Sequence, residues 1–310
     1  MDTSVMITLG FLVFAIVMFA WEKIPLSITA MVVAVGLHLS GVLSAKEAFA
    51  GFVDPNVLLF MGMFVIGEAF FATGVAVGVG NVVHKFAKTE TSLLVAVMMI
   101  TGILSGFLSN TGTAAVLIPV IIGICKKSGF KQTKLLMPLV FAAAMGGNIS
   151  LIGAPGNMIA QAGLQQAGLG SFGFFDYGLV GLPILIVGTI FYATIGKRFL
   201  PDTPSHQPDG AFEGNDDYSH VPSWKKWTSA LVLILTVGAM IFEKQLGVKL
   251  YVSAWVGALV LVATNVISES AAVRSIDMKT IMLFAGSMAL GDAMVKTGTG
   301  SVIADIIVNS

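Results

Sequence analysis

Cysteine is all but absent. Cys125 is the single one, set inside an apolar run, so no intramolecular disulfide can form. Charge is scarce as well: 11% of residues are charged, basic and acidic side chains balance at 17 each, and the formal net charge is zero. Lys and Arg lie almost wholly between apolar runs, so there is no basic surface to receive a nucleic acid. The 4 histidines, His38, His84, His206 and His220, sit at a segment boundary or in connections and lack metal-ligand spacing. The apolar segments hold neither a His-x-x-x-His pair nor a Gly-x-Ser-x-Gly turn, which removes the usual intramembrane hydrolase constellations and points away from an enzyme or a cofactor. The first residues, Met1-Asp2-Thr3-Ser4, lack a basic leader and run straight into an apolar stretch, so Val5–Ala20 reads as a retained membrane helix.

What is abundant is apolar surface. Hydrophobic residues make up 56% of the chain and the mean hydropathy is +0.91, so lipid is the natural solvent. Apolar segments fall at about 5–20, 24–43, 56–83, 91–125, 135–168, 178–200, 228–243, 250–268 and 280–308. Two of them are anomalous. From Leu93 to Cys125 there is no charged residue, and a straight helix of that length would run about 50 Å, well beyond a hydrocarbon core of about 30 Å. The polar cluster Ser109-Asn110-Thr111-Gly112-Thr113 divides it into arms of 16 residues (93–108) and 12 residues (114–125), which predicts a re-entrant helical hairpin over 91–125. The segment 135–168 is interrupted by Gly146-Gly147-Asn148 and by Gly153-Ala154-Pro155-Gly156-Asn157, a density of helix breakers that predicts a discontinuous helix restarting at Pro155. Non-helical backbone at membrane depth survives only inside protein or along a wet cavity, so both breaks point to a common site.

Residues 201–226 change to Pro, Asp, Gly, Ser and His and read as a cytoplasmic linker between two halves. NVLLFMGMFVIGEAFFATG at 56–74 resembles TIMLFAGSMALGDAMVKTG at 280–298, and Trp21-Glu22-Lys23 resembles Phe242-Glu243-Lys244. If the hairpin enters from the cytoplasm, the positive-inside bias sets Lys23 inside and Lys244 outside, so the halves have opposite orientations. Inverted repeats with broken helices are a recurring device of secondary transporters. The expected organisation is an all-α polytopic membrane protein. Residues 1–200 form a first inverted repeat: scaffold helices over about 5–83, the hairpin 91–125, the broken helix 135–168 and a helix 178–200. Residues 227–310 form a partial second one.

The chemistry of the breaks follows from helix ends. Helix starts near Thr113 and Pro155 direct unsatisfied N–H groups and a positive dipole end at the tip, which suits an anion. Helix ends near Leu108 and Met145 offer carbonyl oxygens to a desolvated cation, and Ser105 and Ser109, four apart, would add hydroxyls from one face. Oxygen ligands without a carboxylate favour sodium over calcium or zinc. Glu68 and Asp292 occupy equivalent repeat positions inside apolar segments and are candidate intramembrane acids, Asp292 with Lys296 available one turn on.

FLSNTGTAAVLIPV (107–120) followed by GGNISLIGAPGN (146–157) resembles the paired signatures of the divalent anion/sodium symporter (DASS) family of the ion transporter superfamily, along essentially the whole chain. The resemblance implies an elevator-type transporter, a homodimer in the inner or plasma membrane, coupling sodium entry to uptake of a C4-dicarboxylate such as succinate, or of citrate or sulfate. It implies sodium ligation by Ser105, Ser109, Asn110 and Gly153. It implies substrate contact by Asn110, Thr111, Gly112, Thr113, Ala154, Pro155 and Asn157, the last supporting the second break. Ala154 stands where the family often has Thr or Ser, which leaves the anion open. Arsenite and citrate–metal transport within the same superfamily, and a channel or non-transporting membrane fragment, are the alternatives; the uncharged hairpin tip disfavours arsenite. At a repeat spacing of 224 residues a second hairpin tip would fall near 333–335, so the second repeat is expected to be incomplete in this chain.

Overall fold

The computed structural model describes residues 2–78, 89–128, 130–200 and 218–308, and among them every regular element is helical. Residues 79–83 of the third apolar segment, Lys85, Lys88, His84, His206 and positions 201–217 of the expected linker lie outside the described residues. The helices are α1 (Thr3–Trp21), α2 (Leu26–Leu39), α3 (Ala45–Ala48), α4 (Pro55–Ala72), α5 (Glu90–Ser105), α6 (Asn110–Ser128), α7 (Thr133–Gly146), α8 (Pro155–Gln166), α9 (Gly178–Thr194), α10 (Ser223–Ile241), α11 (Glu243–Leu246), α12 (Leu250–Ala263), α13 (Glu269–Ser275), α14 (Met278–Thr297) and α15 (Thr299–Val308). Four of them, α1, α4, α10 and α14, are long and apolar enough to cross a bilayer, and α2, α5, α7, α9 and α12 are shorter apolar helices. Large apolar side chains are turned outward along α9 and α10, among them Leu179 at 79% exposure and Ile234 at 67%. A surface of that kind is stable against lipid, not water.

The four long helices are two equivalent pairs. Element order, caps and buried positions in 3–74 recur in 223–298, mostly at a spacing of 224 residues. Ser44 caps α3 by accepting the Glu47 N–H, and Ser268 caps α13 by accepting the Ala271 N–H, each at 3.3 Å. Left-handed residues coincide: Gly41 with Asn265, and Gly74 with Gly298. Thr73 donates its hydroxyl to the Ala69 carbonyl as Thr297 does to Ala293, both at 2.7 Å. Leu37 and Leu261, Phe60 and Phe284, and Ala69 and Ala293 are buried alike.

The chain forms two compact units, one of residues 1–61, 158–171 and 277–310 and one of 62–157 and 172–276. In the first, α2 packs along α14 so closely that a Cβ on Gly286 would overlap the Ala30 carbonyl. Val33, Ala34, Leu37, Leu43, Ala289 and Ala293 fill that seam. In the second, a Cβ on Gly62 of α4 would come within 2.8 Å of Cβ and 2.9 Å of the carbonyl carbon of Ala254 on α12. Gly62 and Gly286 are repeat equivalents, and so are Ala254 and Ala30. The third long-range helix of each half therefore meets the second helix of the other by the same small-residue contact. The rest of the second unit is built on α5, α6, α7 and α9, whose buried Leu93, Leu94, Val97, Ile121, Leu135, Leu139 and Leu185 form one cluster.

Candidate functional site

Thr89 starts α5 by accepting the Ser92 N–H at 3.1 Å. Leu93 and Leu94 near its start share a buried cluster with Ile124 and Cys125 near the end of α6, so the chain does fold back on itself between the two arms. The turn differs in register from the sequence expectation. Helix α5 ends at Ser105, Gly106–Leu108 form a tight turn, and α6 begins at Asn110 instead of near Thr113. The reason is Ser109, whose Oγ accepts the Gly112 N–H at 2.9 Å and whose carbonyl accepts the Thr113 N–H at 2.9 Å, a helix N-cap. Ser105 and Ser109 accordingly lie on either side of the turn and do not share a helical face.

The second break runs from Gly147 to Ala154, between α7, which ends at Gly146, and α8. Its backbone is held by side chains. Asn157, 5% exposed, uses its amide nitrogen to donate to the carbonyls of Gly147 and Ser150, both at 2.9 Å. Ser150 Oγ donates to the Gly106 carbonyl at 2.5 Å, which ties this break to the hairpin turn. Tyr177 donates its hydroxyl to the Asn157 carbonyl at 2.7 Å, and the Leu151 N–H donates to Phe174 O at 2.9 Å. Glycines let the two breaks touch: a Cβ on Gly146 would overlap Gly102, and one on Gly153 would lie 2.5 Å from Gly147 O and 3.0 Å from Gly106 O.

At this crossing four oxygen-bearing groups meet. Ser105, fully buried, donates to the Ala143 carbonyl at 2.7 Å. The inner atom of the Asn110 carboxamide lies 2.6 Å from Ser105 Oγ, 3.0 Å from Gly153 O and 3.3 Å from Ala143 O. With no cation among them, hydrogen-bonding logic turns the amide nitrogen inward as donor to those oxygens. Of the residues expected to ligate sodium, Ser105, Asn110 and Gly153 are thus brought together, whereas Ser109 Oγ is the helix cap. Ala143 O joins the group. Sequence carried no signal for it, because any residue supplies a carbonyl.

Outside this buried cluster lies an exposed lip made by the starts of α6 and α8. Thr111, Pro155 and Gly156 are exposed, and Asn110, Gly112 and Ala154 are half-buried. The backbone N–H groups of Asn110, Thr111 and Gly156 donate to no acceptor among the described residues, as expected of helix first turns. Two of the expected substrate contacts are set further in. Thr113 is fully buried and its hydroxyl has no partner among the described residues, and Asn157 holds the unwound backbone.

The intramembrane acids lie elsewhere. Glu68 is half-buried on α4 and Asp292 half-buried on α14. Lys296 does not pair with Asp292 one turn before it. Its ammonium donates to both carboxylate oxygens of Glu47 at 2.8 Å, because α3 stands beside the end of α14 and offers an exposed, already oriented acceptor. That pairing, with the Ser44 N–H, holds the Glu47 carboxyl down at about 2.

An apolar helical protein whose two helix breaks face each other is a membrane transporter in its architecture, and comparison with known proteins narrows the class. The profile of the citrate transporter family (CitMHS) matches residues 16–310, so the chain belongs to that family. It is 33% identical over 211 residues to the uncharacterized transporter YfbS of Escherichia coli, covering 68% of this chain and 35% of that protein. It is 31% identical over 201 residues to an uncharacterized transporter of Synechocystis, covering 64% of this chain and 33% of that protein. An uncharacterized transporter of Haemophilus influenzae is 25% identical over 319 residues, covering 97% of this chain and 67% of that protein. The chain thus spans about a third of the first two relatives' length. It is an integral membrane protein of a transporter family.

Proposed function

We propose that the crossing of the two breaks is a sodium-coupled anion site, and that the protein takes part in uptake of a small divalent anion. One observation carries the reading: an all-oxygen cluster of Ser105 Oγ, the Asn110 amide, Ala143 O and Gly153 O lies directly behind a lip of free helix-start N–H groups. Neutral hard oxygens suit a monovalent alkali cation. The lip suits a carboxylate or sulfate oxygen. Asn110 belongs to both, being the first residue of α6 and a member of the buried cluster. Thr111, Gly112, Ala154 and Pro155 would border the anion, with Thr113 and Asn157 supporting the lip from behind.

The family's description puts citrate first among anions to test, with succinate and sulfate beside it. The recurrence at 224 residues and the reciprocal Gly62–Ala254 and Gly286–Ala30 contacts support a pair of related halves. Their inversion in the membrane, an elevator-type movement and a homodimer are further parts of the proposal, implied by the DASS resemblance. The test is thermal stability of the purified protein in sodium against potassium, with citrate, succinate and sulfate compared. Sodium with one of these anions is expected to stabilise the protein, and Asn110→Ala to abolish the effect. Equal stability in every salt would overturn the reading.

A further inference from the structure

We infer that the Asn110 carboxamide is a two-position switch that couples the cation to the anion. The inference rests on the sodium reading above and adds to it a mechanism. Counting protons defines the two positions. With nitrogen inward, the amide's two hydrogens go to Ser105 Oγ and Gly153 O, and the Ser105 hydroxyl hydrogen goes to Ala143 O, so every inner oxygen has a donor. With oxygen inward, the same space holds four oxygens and one hydroxyl proton, and Gly153 O is left facing acceptors. Such a cluster is unfavourable when empty and is satisfied by one cation. Cation binding therefore turns the amide over.

The same half-turn changes the outer side. The outward amide atom has no partner among the described residues, and Asn110 is half-buried beside exposed Thr111. Oxygen there adds an acceptor next to the free N–H groups of the lip, which opposes an anion. Nitrogen there adds a donor. Bound cation thus converts the outer face from acceptor to donor, and bound anion favours the amide position that holds the cation, as linkage requires. Room for the turn comes from Gly147, since a Cβ there would lie 2.6 Å from Asn110 Oδ1 and 2.7 Å from Nδ2.

The test is solid-state NMR on the full chain in lipid, carrying ¹⁵Nδ2-labelled Asn and carbonyl-¹³C Gly. Without sodium, a dipolar contact between Asn110 Nδ2 and the Gly153 carbonyl is expected, the nuclei being about 4 Å apart. It is assigned by its loss in Asn110→Asp. Saturating sodium, verified by thermal stabilisation of the same sample, is expected to abolish it. The Asn157–Gly147 contact should remain as the internal standard. If the Asn110 contact persists with sodium bound, the switch is wrong and the cation reading stands. If sodium does not stabilise the protein, both fall. A second arm measures citrate affinity with and without sodium. Sodium is expected to raise it about tenfold in the wild type. In Asn110→Asp, which has no nitrogen to present, the ratio should fall close to one while sodium still stabilises the protein. An unchanged ratio would overturn the switch even if overall affinity drops.

Discussion

Replacing Gly153 by Ala probes the meeting of the two breaks with a single methyl. Gly153 is not in the left-handed region, so the change costs nothing in backbone conformation and acts through space alone. The added Cβ would stand 2.5 Å from Gly147 O and 3.0 Å from Gly106 O. Ordinary carbon–oxygen contacts begin at about 3.3 Å, so the first is short by about 0.8 Å. Both neighbours are backbone atoms and cannot rotate away, so the segments must separate. Overpacking of this kind costs about 1–3 kcal/mol, several degrees in Tm. It also pushes Gly153 O away from Asn110, so sodium stabilisation should weaken more than overall stability. Gly156→Ala, three residues on and with nothing within 4 Å of its Cβ, is the control, expected to be neutral or stabilising by up to about 1 kcal/mol. Thermal unfolding of both variants in detergent, in sodium and in potassium, decides the matter. If Gly153→Ala keeps the wild-type Tm and sodium response, the two breaks do not touch as described.

Asn157→Ala removes the donor to two buried carbonyls, Gly147 and Ser150, and is expected to cost about 2–4 kcal/mol, read as a fall in Tm with or without ligand. Gly62→Ala and Gly286→Ala should each destabilise by about 1–3 kcal/mol, since both push on the backbone of an equivalent alanine. In contrast, Gly238→Ala in open space on α10 should gain up to about 1 kcal/mol by helix propensity. Glu47 has a folded pKa of about 2, below the 4.5 of a free glutamate, through its bonds to Lys296 and Ser44. Its contribution to stability is thus present above pH 4.5 and lost as pH falls from there through 2. Lys296→Met should move its carboxyl ¹³C titration midpoint back up toward 4.5, and a midpoint that stays near 2 would refute the pairing.

The positions of the breaks were legible in the sequence because their signal is compositional. Uncharged length between Leu93 and Cys125 demands a turn, and Gly146–Asn157 is too rich in breakers to stay helical. The repeat was legible in the 56–74 and 280–298 blocks, though its extent was not. Gly41 and Asn265 share a left-handed backbone without sharing a residue type. Register at the hairpin turn was misjudged because Ser109 has two plausible uses, ligand and cap, and pattern does not choose between them. The cap prevails because it satisfies the Gly112 N–H at the start of α6. Ala143 O, Ser150 and Tyr177 were invisible for another reason. Their roles depend on which backbones lie opposite, and that is known only once the breaks cross. The Lys296 partner was misplaced because a contact one turn away along a helix is the only one sequence spacing can offer, whereas Glu47 is 249 residues distant.

The buried cluster at the crossing is built from a hydroxyl, an amide and two carbonyls, with no ionisable side chain among Ser105, Asn110, Ala143 and Gly153. The consequence is electrical. A carrier whose binding groups hold no fixed charge moves none of its own when it reorients empty, so membrane voltage does not act on that return through the site. Voltage acts on the loaded passage alone, in proportion to the net charge of the cations and anion aboard. A cation without an anion would carry an unbalanced charge through a low-dielectric region, and that cost falls away when the two travel together.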